Sequence, residues 1–480
     1  MNPARAFQDI AARLPDTVAL RADGNAWRFK ELAWQAASLA AALRAGGIGR
    51  GDLVVTRFEH PVAELAAFFA LMHVGAVNCS IAHLGGAAIE VAPIAVLGDA
   101  ETLPALQRAL PDSRPVEYEA ALRSEHPLAD FAPVTPGEVS QLILTSGTTG
   151  RAKMVQLTYG AIAARTATRE TYFQTVGAVL LLMGPMTAGG CQAVLSTLFS
   201  GHALDLSRQR QGLIDAIADP STRHVIASPV QLSALLAVIG AGGTPHGHLR
   251  GILLMGGAAP PTLIAKARQA FACPITCMYG TSEAGACASV TLDSAEAARD
   301  AVLAPLSGVR IEVVDDADRP LPPGEVGHVR IAAPGMASGY FGDPALTRAH
   351  FRDGWFHPGD LGRLVGDGLV IAGRQDEMIN IGGVKLDPAE IDRMIEERKL
   401  AQDAAAFRFD DGSGIERLMV ASVTENDAAF ARLREAIAAH VGGRLPVGHF
   451  RVNRIPRNEM GKPLRLHLAE ALRRKISGQV

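Results

Sequence analysis

Between Gln141 and Val155 the chain reads QLILTSGTTGRAKMV, an apolar run that enters a loop of hydroxyls and glycines and ends on a lysine. Gly147 and Gly150 allow close approach to the backbone, Ser146, Thr148 and Thr149 can donate to phosphate oxygens, and Lys153 adds positive charge. These are the parts of a phosphate cradle. It is not a Walker loop, because Met154 follows the lysine where a Ser or Thr would be needed. Four more segments carry polar residues suited to chemistry: MGGAAP from Met255, MYGTSEAG from Met278, GWFHPGDLG from Gly354 running on to GRQDEM at Gly373, and RIPRNEMGKPLR from Arg454. Taken singly each is ordinary. An Asp beside an Arg is by default a surface ion pair, and a lysine near a terminus is by default solvated.

Taken in order, the five segments resemble the signatures of the adenylate-forming superfamily, which comprises acyl-CoA synthetases, nonribosomal-peptide adenylation domains and luciferases. The likeness covers most of the chain and implies ATP and Mg²⁺ as cofactors, with a carboxylic acid activated as its acyl-AMP. Met255 to Pro260, with Gly257 and Ala258, resembles the adenine-side loop. In MYGTSEAG the resemblance places Tyr279 against adenine with Gly280 beside it, Thr281 at the α-phosphate and Glu283 on Mg²⁺. The residue types suit those roles, since a purine needs an aromatic face, the phosphorus a nearby hydroxyl and a hard cation a carboxylate. Asp360 is carried over as the ribose ligand, Arg374 as its neighbour, Asp376 as a hinge and Lys462 as the adenylation lysine. Lys385 stands where relatives often have an arginine near phosphate; it keeps the charge but loses the bidentate fork. Gly382 and Gly383 would line a tunnel for an acceptor thiol, most readily coenzyme A, since glycines admit a slim arm beside backbone.

The departures bear on the substrate. After VLLLM (Val179 to Met183) the chain reads GPMTAGG, without the histidine many acyl-CoA synthetases place near the acyl pocket. No aspartate occurs between Glu170 and Asp205, where amino-acid-activating relatives hold an ammonium group, and a buried ammonium without a counter-charge is costly. An amino-acid substrate is disfavoured. Met186, Ala188, Ser228, Pro229, Met255 and Met278 are expected to border an apolar pocket for an aryl or medium aliphatic acid. The stretch between Gly75 and Asp99 is short for the strand, helix and strand that relatives place there, and Pro358 replaces the usual threonine before Gly359.

What must position these residues is an α/β fold of more than one domain. At 480 residues the chain exceeds one usual core, and 48% hydrophobic with 20% charged residues is enough to build it. Short apolar runs such as VLLLM, HVIAS and GILLM alternate with helix-length segments, as in sheets buried on both faces. After Pro305 the runs shorten and are punctuated by Gly, Pro and Asp, which predicts antiparallel strands. A helix is expected to open at Asp387-Pro388. The expected organisation is a large N-terminal domain, 1–374, of sheets layered with helices plus a β-rich subdomain, and a small mobile α+β C-terminal domain, 375–480.

Composition narrows the partners. Forty-six Lys and Arg against 49 Asp and Glu leave a net charge of −3, with no basic excess for nucleic acid. The five scattered cysteines fit a reducing, cytoplasmic setting and no disulfide framework; Cys273 and Cys277 are read as ordinary buried thiols. From Thr171 to Gly201 no charge occurs, but Gly184-Pro185 and Gly189-Gly190 interrupt the run, so a buried strand and a short helix from Cys191 to Phe199 are expected rather than a membrane span. Two rival readings share the same signatures. One is an acyl-AMP ligase that loads a carrier-protein phosphopantetheine or an amine; the other is a nucleotide-binding interaction protein without catalysis.

Overall fold

The computed structural model describes the chain except residues 1, 82–90, 125, 128–129, 146–152, 168–176, 241–246, 295–296, 299–300, 376–378, 382–383, 411–415, 442–446, 459–460 and 477–480, and gives backbone alone for 380–381, 384–385, 410 and 416. Every count and absence below refers to the described residues.

Two large mixed sheets dominate. In the first, nine strands run in the order Ala304–Pro305, Gly285–Leu292, Ile275–Thr281, Gly251–Met255, Thr222–Ala227, Ala178–Leu181, Leu204–Asp205, Val18–Ala22 and Asn25–Arg28. Its centre, from Ile275–Thr281 to Val18–Ala22, is parallel. The second has seven strands in the order Gly339–Tyr340, Lys153–Thr158, Val139–Thr145, Val77–Ser80, Leu53–Arg57, Ala95–Gly98 and Arg114–Glu117. Parallel strands need crossovers that cover both faces, which is why their sequences read as unbroken apolar runs.

One core cluster joins the two sheets, with Val54, Ala95 and Ile143 from one and Val179, Leu181 and Ile226 from the other. The helix Pro61–Val74 contributes to it every hydrophobic residue from Ala63 to Val74. A helix apolar on all sides belongs inside. Gly75 ends it at φ +79°, the left-handed conformation that glycine adopts freely.

The run after Val179 behaves as expected in part. The strand is Ala178–Leu181, fully buried, but the helix starts earlier than read, at Ala188, and runs to Phe199. Thr187 caps it by accepting from the Gly190 N–H. Gly189 and Gly190 therefore form the first turn of the helix and not a break before it. The reason is steric: a Cβ on Gly190 would lie 1.9 Å from the Gly184 carbonyl oxygen. No described helix is long and apolar enough to cross a membrane.

Beyond residue 305 a six-stranded sheet is antiparallel throughout, built of Arg310–Val314, Gly327–Ala332, Phe351–Arg352, Trp355–Phe356, Asp360–Val365 and Gly368–Arg374. Its own cluster packs Val313, Val329, Ile331, Phe356 and Leu369 against Ala284, Cys287 and Ala288. Residues 379–472 bury two further clusters around the strands Asp403–Asp410, Glu416–Val423 and Val447–Arg451. The molecule is thus a large sheet-rich N-terminal domain with a smaller C-terminal one. The helix Pro388–Glu397 opens as predicted, with the Asp387 side chain accepting from the Ala389 N–H.

Candidate active site

Alternation along the strand Ile275–Thr281 sorts its side chains onto two faces. Met278 joins the inter-sheet core with Met183, Met186 and Met255, while Tyr279 packs against the antiparallel sheet. A register shift follows Tyr279, and a Cβ on Gly280 would meet the Gly285 carbonyl oxygen at 2.4 Å, so the backbones close there only over glycine. Thr281 and Gly285 pair across the turn, and the Thr281 hydroxyl accepts from the Ala284 N–H at 2.9 Å. The turn presents Glu283.

Three contacts fix Glu283. The Ala337 N–H donates to its carbonyl at 2.7 Å, Arg165 donates to the same oxygen at 3.0 Å, and the Tyr340 hydroxyl donates to carboxylate Oε1 at 2.7 Å. Lys153 stands with Nζ 5.7 Å from the centre of the Tyr340 ring. The strand that begins at Lys153 pairs with Gly339–Tyr340, Val155 opposite Tyr340, and this pairing brings the lysine from the cradle segment beside Tyr340, whose hydroxyl bonds Glu283. Ser146, Gly147, Thr148, Thr149 and Gly150 lie outside the described residues.

Asp360 is 6% exposed and opens a strand whose partner across the ladder is Arg374. Arg374 donates to Asp360 Oδ1 at 3.1 Å and to the Pro358 carbonyl at 3.2 Å. The Tyr279 hydroxyl donates to Asp360 Oδ2 at 2.5 Å, joining this strand to the turn that carries Thr281 and Glu283. A carboxylate has about four acceptor positions, so two remain for hydroxyl donors of a ligand. Burial first, and then the Asp360 charge, push the Tyr279 phenol well above its usual 10; burial and Glu283 do the same to Tyr340. Both stay protonated donors at neutral pH.

The strand Gly251–Met255 lies beside Ile275–Thr281 with Met255 opposite Met278, which places the following loop, with Gly257 and Ala258 exposed, next to Tyr279. A Cβ on Gly257 would sit 3.9 Å from Pro229, the first residue of the helix Pro229–Ile239. Ser228 is the buried cap of that helix. The loop that carries Lys462 meets the same helix end, through Gly461. Asn458 closes its loop by accepting from the Lys462 N–H at 2.9 Å and donating to the Lys462 carbonyl at 3.0 Å. Gly461, at φ +79°, is pressed so close to Val230 that an added Cβ would come within 1.9 Å of Cγ2. Lys462 itself is exposed.

Of the methionines expected to border the acid, Met186, Met255 and Met278 share the inter-sheet core with Met183, and a Cβ on Gly189 would lie 3.2 Å from Met255 Cε and 3.4 Å from Met183 Cε. Lys385 lies in the short strand Val384–Leu386, its side chain outside the described residues, as are Asp376, Gly382 and Gly383. All five cysteines are free, and burial pushes Cys273 up to about 11 and Cys277 to about 12. No group of three potential metal-ligating side chains occurs among the described residues. A single carboxylate such as Glu283, together with nucleotide oxygens, fits Mg²⁺, because that ion keeps most of its shell as water and phosphate. Two residues at the site escaped the sequence reading. Tyr340, in SGYFGDP, offers only an aromatic before a helix start as its signal, and Arg165 reads as the polar side of the helix Tyr159–Ala167.

Residues 7–341 match the family described as AMP-binding enzyme. The chain is 28% identical to a probable non-canonical nonribosomal peptide synthetase, CymA, of Salinispora arenicola over 95% of its own length, and spans 6% of that protein. It is 28% identical to a feruloyl-CoA synthase of an Amycolatopsis species, over 79% of each chain. Among solved structures, the o-succinylbenzoate CoA synthetase of Bacillus subtilis in complex with its acyl-adenylate superposes with a TM-score of 0.85, at 20% identity over 96% of this chain and 97% of that one. At that identity the likeness is one of fold.

Proposed function

The chain belongs to the AMP-binding enzyme family, and on that premise we propose that it activates a carboxylic acid with ATP as an acyl-AMP and passes the acyl group to a thiol. The observation that carries the reading is the convergence on one strand end of two separate groups of residues. Asp360, Tyr279 and Arg374 form one, and Glu283, Tyr340 and Lys153 the other, with Thr281 between them.

In the first half-reaction a substrate carboxylate oxygen bonds to the α-phosphorus of ATP while the bond to the β-phosphate oxygen breaks and pyrophosphate leaves. No protein nucleophile is needed. Charge spreads over phosphoryl oxygens, so the protein contributes positioning and electrostatic stabilisation. Asp360 accepts the ribose hydroxyls, with Arg374 holding its carboxylate in place. Tyr279 flanks the adenine together with the Gly257–Ala258 loop, Gly280 letting the backbone turn beside it. Thr281 donates at the α-phosphate; Lys153 and Lys462 supply positive charge. Mg²⁺, held by Glu283, would neutralise charge on the phosphates. The cradle Ser146 to Gly150 and Lys385 complete the nucleotide contacts in this reading.

In the second half-reaction a thiol attacks the acyl carbonyl and AMP departs. The small domain, 375–480, would turn about Asp376 to withdraw Lys462 and bring Gly382–Gly383 to an acceptor tunnel. Separate core clusters on either side of this boundary support it. Coenzyme A is the favoured acceptor, in line with the name of the feruloyl-CoA synthase relative. The peptide-synthetase relative supports a second reading in which a carrier-protein phosphopantetheine takes the acyl group. The methionines packed around Gly189 support an apolar acid over an amino acid. Free cysteines and a balanced charge suit a reducing cytoplasm. A panel of carboxylates in a pyrophosphate-release assay, run with and without coenzyme A, tests the reading. Acid-dependent release with thioester formed only when coenzyme A is present is expected; release indifferent to every acid would overturn it.

A further inference from the structure

Arg165 belongs to none of the signature segments, yet it is 5% exposed and touches the loops around Glu283. Its Nη2 donates to the carbonyls of Ser282 and Glu283, both at 3.0 Å, and its Nε donates to the Gly335 carbonyl at 2.8 Å. One guanidinium thus ties the turn that presents Glu283 to the segment that leads, through Ala337, to Tyr340. The same two loops meet again where the Ala337 N–H and the Tyr340 hydroxyl bond Glu283. Both loops are shaped around this side chain. A Cβ on Gly335 would lie 2.9 Å from Arg165 Cγ and one on Gly285 3.2 Å from Nε, and both glycines have positive φ. The helix is held in turn by Gln192, which donates to the Arg165 carbonyl at 3.2 Å.

A buried cation is a costly way to fill space, since an apolar side chain of similar volume packs without desolvation. What only arginine offers is a planar fork with five donors that can serve several carbonyls at once; a lysine has one nitrogen. Burial pulls the guanidinium down to about 10, so it keeps its charge at neutral pH, and the neighbouring thiols Cys191 and Cys287, raised to about 12, stay neutral.

We propose that Arg165 is a positioning residue that sets the Glu283 carboxylate, through its backbone and through Tyr340, for the metal ion of the metal–ATP complex. The proposal rests on the adenylate-forming reading, and its test separates the two. Arg165→Met and Arg165→Lys are made in the full chain, and ATP affinity is measured by calorimetry with Mg²⁺ and with chelator, beside amide hydrogen exchange and melting temperature. Expected are an unchanged affinity for metal-free ATP, an about tenfold loss of the affinity gained from Mg²⁺ in Arg165→Met, and a smaller loss in Arg165→Lys. Exchange should quicken in 281–286 and 334–341 and not in the distant strand Leu53–Arg57. If the Met variant fails to fold, Arg165→Lys carries the test together with Gly285→Ala, whose added Cβ meets the Arg165 side chain alone. A Mg²⁺ gain that survives intact, or affinities with and without metal that fall together, would overturn the role. A wild-type chain that binds no ATP at all would instead sink the functional reading, while the exchange data would still report on the brace.

Discussion

Tyr279 and Asp360 are buried in terms of each other: the phenol has the carboxylate as its acceptor, and the carboxylate has the phenol and Arg374 as its donors. Removing the acid leaves a buried hydroxyl and a guanidinium without it. Asp360→Ala should therefore weaken ATP binding and also lower stability by about 1–3 kcal/mol. Calorimetry and denaturant titration check the two effects, and unchanged ATP affinity would contradict the ribose assignment. Lys462 behaves differently because its side chain is exposed and its loop is closed by backbone and Asn458. Lys462→Ala should cut acyl-AMP formation by about 100-fold or more without affecting folding, and leave thioester formation from pre-made acyl-AMP largely intact. Equal loss in both assays would remove the role. The raised phenols give a pH signature. A phenol whose folded pKa lies above its unfolded value near 10 binds its proton more tightly in the native state, so its contribution is complete below pH 10 and fades as pH rises through the folded value. Unfolding free energy should fall on the alkaline side, and Tyr340→Phe should flatten part of that fall.

Elements were readable where one face or period dominated. The parallel strands around VLLLM, HVIAS and GILLM are buried on both faces, so apolar runs alone mark them. Asp387-Pro388 is a local capping signal and needs no tertiary information. Gly189-Gly190 misled because glycine marks a break or a close approach alike, and the Gly184 carbonyl that demands the second is known only once the turn has formed. Tyr340 and Arg165 were unreadable for the same reason at longer range: their bonds to Glu283 span 57 and 118 residues. The helix Pro229–Ile239 and the loop of Lys462 meet in a way that sequence also hides. Gly461→Ala adds both a left-handed alanine and a collision with Val230. Strain of roughly 1–2 kcal/mol should slow acyl-AMP formation about tenfold, and Val230→Ala should restore part of it. Strict additivity in that double-mutant cycle would show that the contact does not seat the loop.

For the whole molecule, the proposed adenylation calls on two regions that bury their own cores. Gly373, at φ +140°, abuts the Asp387 carboxylate, and the Gln375 N–H donates to the Gly359 carbonyl, so the chain is held as far as the residue before the expected pivot, Asp376. Restricting φ there with Asp376→Pro should trap one pose. Acyl-AMP formation should persist and transfer to the thiol should fail, in a variant of unchanged melting temperature. Near-wild-type rates in both would remove Asp376 as the pivot. The order of the five signatures made the family readable from sequence, because each depends on local residue types. The packing around Gly189, proposed to face the acid, was not, since it is assembled from side chains on separate elements. The most direct test is to incubate the full chain with ATP, Mg²⁺ and a carboxylate panel in the absence of any thiol, and to identify the nucleotide products by mass spectrometry. At least one acid should yield its acyl-AMP with pyrophosphate in equal amount; ADP as the product, or ATP untouched by every acid while it still binds, would contradict the account.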